Sequence, residues 1–281
     1  MTHTPHQILI TGATGKTGRR VLRRLRSGYP DHAVRGVSRS TTPRFDWTDR
    51  DTWDAVLSDI DVVYLCYSPD LGFPGAAGTV GAFATRAVER GVSRAVLLSG
   101  RGEPEARAAE EAVRNTGIGL TVLRAAWLAQ NFTEDFLAGA IAEGVVALPI
   151  RTDVGEPVVD ADDVADAIVR SLTDDRLTGQ THELTGPNLW TLEEMVQRIA
   201  TATGRSLQAV QVPMDTWVAG AVEAGMPASL ARQYAELFAA IMDGRNAQLA
   251  PGLVEVLGRD GGDFGDFVRS AAAADAWTVA A

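Results

Sequence analysis

Gln7-Ile8-Leu9-Ile10-Thr11-Gly12-Ala13-Thr14-Gly15-Lys16-Thr17-Gly18-Arg19-Arg20-Val21-Leu22 is the stretch that decides the fold. It begins with an apolar run of strand length, passes through three evenly spaced glycines and ends in an amphipathic pattern. Val21, Leu22 and Leu25 share one face of that pattern, and arginines occupy the other. The stretch therefore predicts a strand, a tight turn and a helix.

Glycines in such a turn let the backbone approach a phosphate group closely, because they carry no Cβ atom. The free N–H groups at the start of the following helix then point at the anion. This arrangement predicts a site for the pyrophosphate of a dinucleotide, and a purely structural turn is the alternative. The candidate cofactor-binding residues of the turn are Gly12, Thr14, Gly15, Lys16, Thr17 and Gly18.

Gly15-Lys16-Thr17 also resembles the end of the phosphate-binding loop of nucleoside triphosphatases. The first glycine of that loop would fall at a position where this sequence has Ile10, inside the predicted strand. We therefore exclude nucleoside triphosphate hydrolysis.

The composition limits the remaining classes of function. With 281 residues and 46% hydrophobic content, the chain can bury a large core in one domain or in a main domain and a smaller lobe. A net charge of −10 argues against nucleic-acid and anionic-membrane surfaces, because both need clustered positive potential. Without a secretory signal or a long apolar run, we expect a cytoplasmic protein. The single cysteine, Cys66, excludes an internal disulfide and a cysteine zinc cluster.

Strand and helix patterns alternate after the opening stretch. We expect strands at residues 33–39, 61–68, 94–100, 120–124, 157–160 and 181–185, and helices at residues 51–57, 74–90, 104–115 and 162–172. This alternation predicts an α/β protein with a doubly wound parallel sheet, the Rossmann architecture, and right-handed crossovers.

The later part of the chain predicts a smaller, mostly helical C-terminal lobe. Residues 127–142 are expected to be largely helical, and further helices are expected at residues 191–203, 214–224 and 227–242 and from residue 264. We divide the chain into a dinucleotide-binding domain of residues 1–150 and a substrate-side lobe of residues 151–281, with residues 157–185 returning to the first domain. Asp162 is a candidate N-cap for its helix, and we explain the acidic trio Asp160, Asp162 and Asp163 by capping and solvation, without a metal.

The residue just past the second strand is a candidate determinant of cofactor choice. An Asp or Glu there holds the 2′-hydroxyl of NAD, whereas an arginine holds the 2′-phosphate of NADP. The sequence has Arg39, which predicts NADP, and a plain surface arginine is the alternative. Asp46 and Trp47 are candidates for contact with the adenine and its surroundings, although a solvated loop would also explain Asp46.

Several motifs together resemble the NmrA-like branch of the atypical short-chain dehydrogenases and reductases, which includes type-2 quinone oxidoreductases. The motifs are the glycine turn from Thr11 to Gly18, residues 121–127 followed by Gln130-Asn131-Phe132, residues 160–165, and Leu184-Thr-Gly-Pro187 leading into Thr191-Leu-Glu-Glu194. Together they extend over nearly the entire chain.

This resemblance implies NADP (NADPH) at the glycine turn and Arg39, with a small-molecule substrate between the two lobes. It implies that the nicotinamide side is lined by Tyr67, Ser68, Ser99 and the segment around Ala126. It also implies that the substrate lies beside Trp127, Asn131 and Phe132, although the aromatic members of this set would also suit a core.

The sequence departs from the pattern at the proton donor. Many short-chain reductases protonate their substrate with a tyrosine whose pKa is lowered by a lysine four residues later, assisted by a serine. Ser99 is in place, but no tyrosine occurs between Tyr67 and Tyr234, and Lys16 is the only lysine. A positioned general acid contributes about a hundred to ten thousandfold, so its loss favours acceptors that need little protonation.

We therefore expect an NADPH-dependent reductase that transfers hydride to an activated acceptor, namely a quinone, enone, carbonyl or imine. Tyr67 and Ser99 are the candidate catalytic residues, each as a hydrogen-bond donor. The alternative is an NADP(H)-binding redox sensor that regulates a protein partner without turnover.

Overall fold

The computed structural model describes residues 6–277 and contains two parallel sheets. The strands, in chain order, are β1 (Gln7–Thr11), β2 (Ala33–Val37), β3 (Val62–Leu65), β4 (Arg94–Gly100), β5 (Gly119–Ala125), β6 (Val145–Leu148), β7 (Thr181–Leu184) and β8 (Gln208–Gln211). The main sheet has six strands in the order β2-β1-β3-β4-β5-β7, and β6 pairs with β8 in the small sheet. The predicted doubly wound Rossmann architecture is confirmed.

Helices fill most of the remaining chain. They are α1 (Lys16–Gly28), α2 (Trp53–Leu57), α3 (Ala76–Glu89), α4 (Pro104–Arg114), α5 (Asn131–Glu134), α6 (Phe136–Glu143), α7 (Ala161–Thr173), α8 (Leu192–Thr203), α9 (Met214–Glu223), α10 (Ala228–Ile241), α11 (Gly252–Leu257) and α12 (Phe264–Ala273). Among residues 6–277, no helix is long and apolar enough to cross a membrane.

The strand order reverses at β1, which has β2 on one side and β3 on the other. In open α/β sheets, this reversal leaves a crevice beyond the carboxyl ends of the strands, where ligands bind. The glycine turn follows β1 directly, so the topology brings it to this crevice.

Both faces of the main sheet are covered by apolar cores. Successive side chains of a strand point to opposite faces, and in β1 the Leu9 side chain packs in one core while Ile8 and Ile10 pack in the other. All three are fully buried. This burial explains why the strand reads as an unbroken apolar run.

A third core joins residues that are far apart in the sequence. It combines side chains of α5, α6 and β6 with those of α8, α10 and α12, including Phe132, Leu148 and Phe238. The division of the chain at residue 150 stays a prediction.

Some local predictions were wrong. Residues 157–160 form no strand. Val159 makes an isolated bridge to Leu128, and Glu156, just before this range, makes another to Trp190. The N-cap of α7 is Asp160, whose side chain accepts a hydrogen bond from the Asp162 N–H, whereas the Asp162 carboxylate binds Arg20 and Arg24 of α1. The two short strands β6 and β8 and the helix α11 were not predicted.

Candidate functional site

The glycine turn between β1 and α1 uses its three glycines for different reasons. Gly12 has a φ angle of +63°, which L side chains rarely adopt. A Cβ atom on Gly18 would lie 2.1 Å from the Gly12 carbonyl oxygen, so the third glycine lets α1 pack against the turn. Gly15 has a negative φ angle and is exposed. A Cβ atom on Gly15 would lie 3.3 Å from the Gly12 carbonyl oxygen, its nearest neighbour.

The backbone angle of Gly12 and the close packing at Gly18 therefore explain these two glycines better than any contact explains Gly15. In dinucleotide-binding turns, the second glycine of the motif allows the backbone to approach the pyrophosphate closely. Gly15 is the second glycine of this turn. Gly15 is also the N-cap of α1, and its position provides no side chain to cap the first N–H groups of that helix. An anion at this helix end would satisfy them, so the turn fits a dinucleotide phosphate.

The polar side chains of the turn point in different directions. Thr14 is exposed, whereas Thr17 is 4% exposed and its hydroxyl lies 2.9 Å from the Tyr64 hydroxyl in the core. Lys16 Nζ donates hydrogen bonds to Asn131 Oδ1 at 2.7 Å and to Asp135 Oδ2 at 2.6 Å. Lys16 thus reaches from the turn to α5 and the start of α6.

Arg39 lies exposed beyond the end of β2, and among the described residues it has no hydrogen-bond or ion-pair partner. The carboxylate of Asp46 lies near enough to Arg39 for the charge of the arginine to lower the pKa of Asp46. Hydrogen bonds from the Thr48 backbone and side chain lower this pKa most, and the charges of Arg44 and Arg39 lower it further. The Asp46 carboxylate is therefore engaged in its own loop, whereas Arg39 retains a cation open to solvent.

Trp47 is a core residue that supports the neighbouring loop. It is 6% exposed, and its Nε1 donates to the carbonyl oxygen of Cys66 at 3.1 Å. Its ring lies 5.3 Å from that of Tyr67 and 5.1 Å from that of Phe83. Because the indole N–H of Trp47 is engaged with Cys66, a bound cofactor would contact the residues around Trp47 and not this N–H.

A cavity of about 260 Å³ lies beyond the carboxyl ends of β3, β4 and β5. Six of the residues that the sequence predicted for the site line it together: Lys16, Tyr67, Ser99, Ala126, Trp127 and Asn131. On the opposite side it is closed by apolar and aromatic side chains of the second lobe, including Phe136, Tyr234 and Phe238. The cavity thus combines the ligand edge of the sheet with an aromatic wall.

Two of the residues predicted for the nicotinamide and substrate side lie outside this cavity. Phe132 is fully buried, with its ring 5.4 Å from that of Phe264, so it has no surface left for a substrate. Ser68 is exposed and is not part of the cavity lining.

Ser99 is held by a buried charge network. Its hydroxyl donates to Glu110 Oε1 at 2.6 Å, and Glu110 also receives two hydrogen bonds from Arg124. Ser99 can donate to a substrate only if its bond to Glu110 breaks. Tyr67 is half-buried and keeps its place on the cavity wall.

Several ionisable side chains of the cavity were not predicted, among them Asp70, Glu103, Glu156 and Tyr234. Burial raises the pKa of Glu103 to about 8 and that of Glu156 to about 7, with a further contribution from Asp70 to Glu103. Burial also raises the pKa of Asp70, and burial together with Asp70 and Asp135 raises that of Tyr234 to about 12. The signals in the sequence were the positions of Asp70 after β3 and of Glu103 after β4, because ligands collect at the carboxyl edge of the sheet.

Comparison with known proteins agrees with this geometry. A family model described as NAD(P)H-binding matches residues 12–175, more than half of the chain. Agroclavine dehydrogenase from Claviceps fusiformis is 31% identical over 282 residues, which cover 93% of this chain and 96% of that protein.

Two solved structures share the fold over nearly their full length. Citrobacter sp. triphenylmethane reductase complexed with NADP(H) has a TM-score of 0.78 at 21% identity, with 94% of this chain and 99% of that chain covered. NADPH-dependent quinone oxidoreductase from Escherichia coli, complexed with NADPH, has a TM-score of 0.79 at 20% identity and the same coverage. The resemblance predicted from the motifs is confirmed. The chain belongs to the NAD(P)H-binding family and is an oxidoreductase of the atypical short-chain dehydrogenase type.

Proposed function

We propose that this protein is an NADPH-dependent reductase that transfers hydride to an activated acceptor, namely a quinone, enone, carbonyl or imine. The observation that carries the proposal is the pairing of a glycine turn, whose exposed Gly15 begins α1 without a side chain, with an adjoining aromatic cavity. Lys16 belongs to both features.

Residues of this chain account for the binding of the cofactor. The backbone from Gly12 to Gly18 and the N-terminus of α1 would hold the pyrophosphate, and Arg39 would hold the 2′-phosphate. When bound, the cofactor supplies the hydride. The protein then positions the acceptor and excludes water from it.

The cavity supports a planar acceptor. Trp127, Phe136 and Tyr234 offer aromatic faces against which conjugated rings pack favourably. The names of the relatives point the same way, because they include a quinone oxidoreductase, a triphenylmethane reductase and agroclavine dehydrogenases.

The test is the rate of NADPH consumption by the purified protein with a panel of quinones, enones, aldehydes and iminium salts. We expect turnover that disappears in Gly15→Val, since its side chain fills the space of the pyrophosphate. Tight NADPH binding without turnover across the panel contradicts the reductase and favours the redox sensor.

A further inference from the structure

The cavity contains an acid that can take the place of the missing tyrosine and lysine pair. We propose that Glu103 is a catalytic residue and donates a proton to the acceptor as the hydride reaches it. This inference rests on the proposed reductase function and names the proton donor for its chemistry.

Glu103 lies at the correct edge of the fold for this role. It follows the end of β4 and immediately precedes α4, so it belongs to the carboxyl edge of the main sheet. Its side chain lines the same cavity as Tyr67 and Ser99.

The carboxyl group of Glu103 is held between two glycines. A Cβ atom on Gly100 would lie 2.0 Å from Glu103 Oε1, and one on Gly72 would lie 2.7 Å from Oε2. The missing side chains at these positions therefore make the room in which the carboxyl group sits. Glu103 is 7% exposed, and Oε2 has no hydrogen-bond partner among the described residues.

Such surroundings favour the protonated carboxylic acid. A buried carboxylate without a partner is costly, and neutralisation removes that cost. The groups that face Glu103 are themselves acidic, namely Asp70 from the loop after β3 and Glu105 and Glu110 from α4. Together with burial, they raise the pKa of Glu103 to about 8.

The nearby cations are engaged elsewhere. Arg101 Nε donates to Glu183, and Arg124 binds Glu110. Lys16 binds Asp135. Glu103 therefore keeps its proton at neutral pH. Its pKa is still close enough to neutral pH for the group to release that proton to an acceptor, as a general acid must.

The other candidate donors of the cavity fit less well. Tyr234 is a weak acid with a pKa of about 12, and the Ser99 proton is held by Glu110. Glu156 is also buried with an unpartnered oxygen, but it comes from the segment between β6 and α7 and not from a loop that follows a strand of the main sheet. Glu156 is the natural comparison in a test.

The step balances as follows for a carbonyl or enone acceptor. NADPH would be oxidised to NADP as its C–H bond breaks, and the electron pair that leaves with the hydride would form the new C–H bond of the acceptor. The acceptor oxygen takes the proton of Glu103, which gives an alcohol from a carbonyl and, from an enone, an enol that tautomerises to the ketone. The Glu103 O–H bond breaks, a carboxylate remains, and solvent restores the proton before the next turnover.

The first test needs no cofactor. Infrared spectra of the protein at neutral pH should contain the C=O stretch of a protonated carboxylic acid. Glu156, whose pKa is raised to about 7, contributes to the same band, so we expect Glu103→Gln to remove the part of the band that titrates near pH 8. Glu111→Gln, an exposed change on the same helix, should retain that part. Absence of the band in the wild type, or an unchanged band and titration in Glu103→Gln, contradicts the inference.

The second test compares acceptors that need a proton with acceptors that do not. Reduction of an enone or aldehyde needs one, whereas reduction of N-methyl dihydroisoquinolinium leaves a neutral amine. We expect Glu103→Gln to lower kcat/KM for the enone or aldehyde by about 100-fold or more, with little change for the iminium ion. Glu156→Gln should affect both acceptors alike.

The outcomes separate the inference from the function on which it rests. Undiminished enone and aldehyde reduction by Glu103→Gln, while the wild type turns over, contradicts the role of Glu103 and leaves the reductase intact. A selective loss in Glu156→Gln instead assigns the proton to that residue and also overturns the inference. A wild type that consumes no NADPH with any acceptor contradicts the reductase, and the inference falls with it.

Discussion

Lys16 Nζ lies 2.6 Å from Asp135 Oδ2, so the single lysine of the chain connects the glycine turn to the start of α6. The same nitrogen donates to Asn131. This contact joins the phosphate side of the site to the wall of the acceptor cavity, since all three residues line that cavity.

Replacing Lys16 should affect cofactor binding more than stability. Lys16→Met removes a positive charge beside the turn, and charge-assisted contacts to phosphate are strong, so we expect NADPH affinity to fall by roughly tenfold. The ion pair is partly exposed, so the free energy of unfolding should change by less than about 1 kcal/mol. Calorimetry and urea unfolding measure the two quantities. Arg26→Met, an exposed change at the far end of α1, is the control for net charge and should leave affinity unchanged.

The glycines of the turn should respond differently to substitution. Gly18→Ala forces a methyl group onto the Gly12 carbonyl and should cost about 1–3 kcal/mol of unfolding free energy. Gly15→Val should cost less than Gly18→Ala, because a Cβ atom at this exposed N-cap would lie 3.3 Å from the Gly12 carbonyl oxygen and not 2.1 Å, yet it should abolish NADPH binding. If calorimetry finds that Gly15→Val binds NADPH normally, the turn does not hold the pyrophosphate.

Arg39 should decide between NADP and NAD. Arg39→Ala should lose roughly ten- to a hundredfold in affinity for NADPH while NADH binding stays constant, since hydrogen bonds to charged groups contribute about 1.5–3 kcal/mol. Arg44→Ala is the matched control, because its charge is already paired with Asp46 and Asp49. Equal losses of affinity for NADPH and NADH in Arg39→Ala would contradict the assignment of Arg39 to the 2′-phosphate.

Stability should depend on pH through Glu103. Its pKa rises from an ordinary 4.5 to about 8 in the folded state, so the folded protein binds more protons than the unfolded chain within this window. The free energy of unfolding should therefore fall as the pH rises from 4.5 to about 8. The stabilising contribution of protonated Glu103 is fully present below pH 4.5 and is lost as the pH passes about 8. Glu156, with a pKa of about 7, acts in the same direction, so the difference between wild type and Glu103→Gln isolates Glu103. Urea unfolding at several pH values measures it, and parallel pH curves for the two proteins would contradict the assignment.

Local sequence patterns predicted the parts of the fold that depend on local chemistry. The apolar run of β1, the glycines after it and the face of α1 lie within one continuous stretch, and β4 occupies the residues expected for it. A helix was expected from residue 191, and Thr191 and Glu194 form a capping box at the start of α8. In each case the residues that determine the structure are near neighbours in the chain.

Tertiary contacts decided the features that were missed. The strands β6 and β8 pair across more than fifty residues, and neither is long enough to show a clear period. Tyr234 reaches the cavity from α10, while Asp70 and Glu103 come from two loops of the main sheet. Their raised pKa values arise from this convergence, which no single stretch of sequence reveals. Phe132 was expected beside the substrate, but the aromatic core of the second lobe buries it.

The most direct test of the central claim is the transfer of deuterium from NADPH in which both hydrogens of the transferable nicotinamide carbon are deuterium. Mass spectrometry of the reduced aldehyde, enone or iminium ion should show one carbon-bound deuterium per molecule of product, and the Gly15→Val protein should form no labelled product. Labelled product would establish that the cofactor and the acceptor meet in one site. A protein that binds NADPH but gives no deuterium to any acceptor of the panel would contradict the reductase.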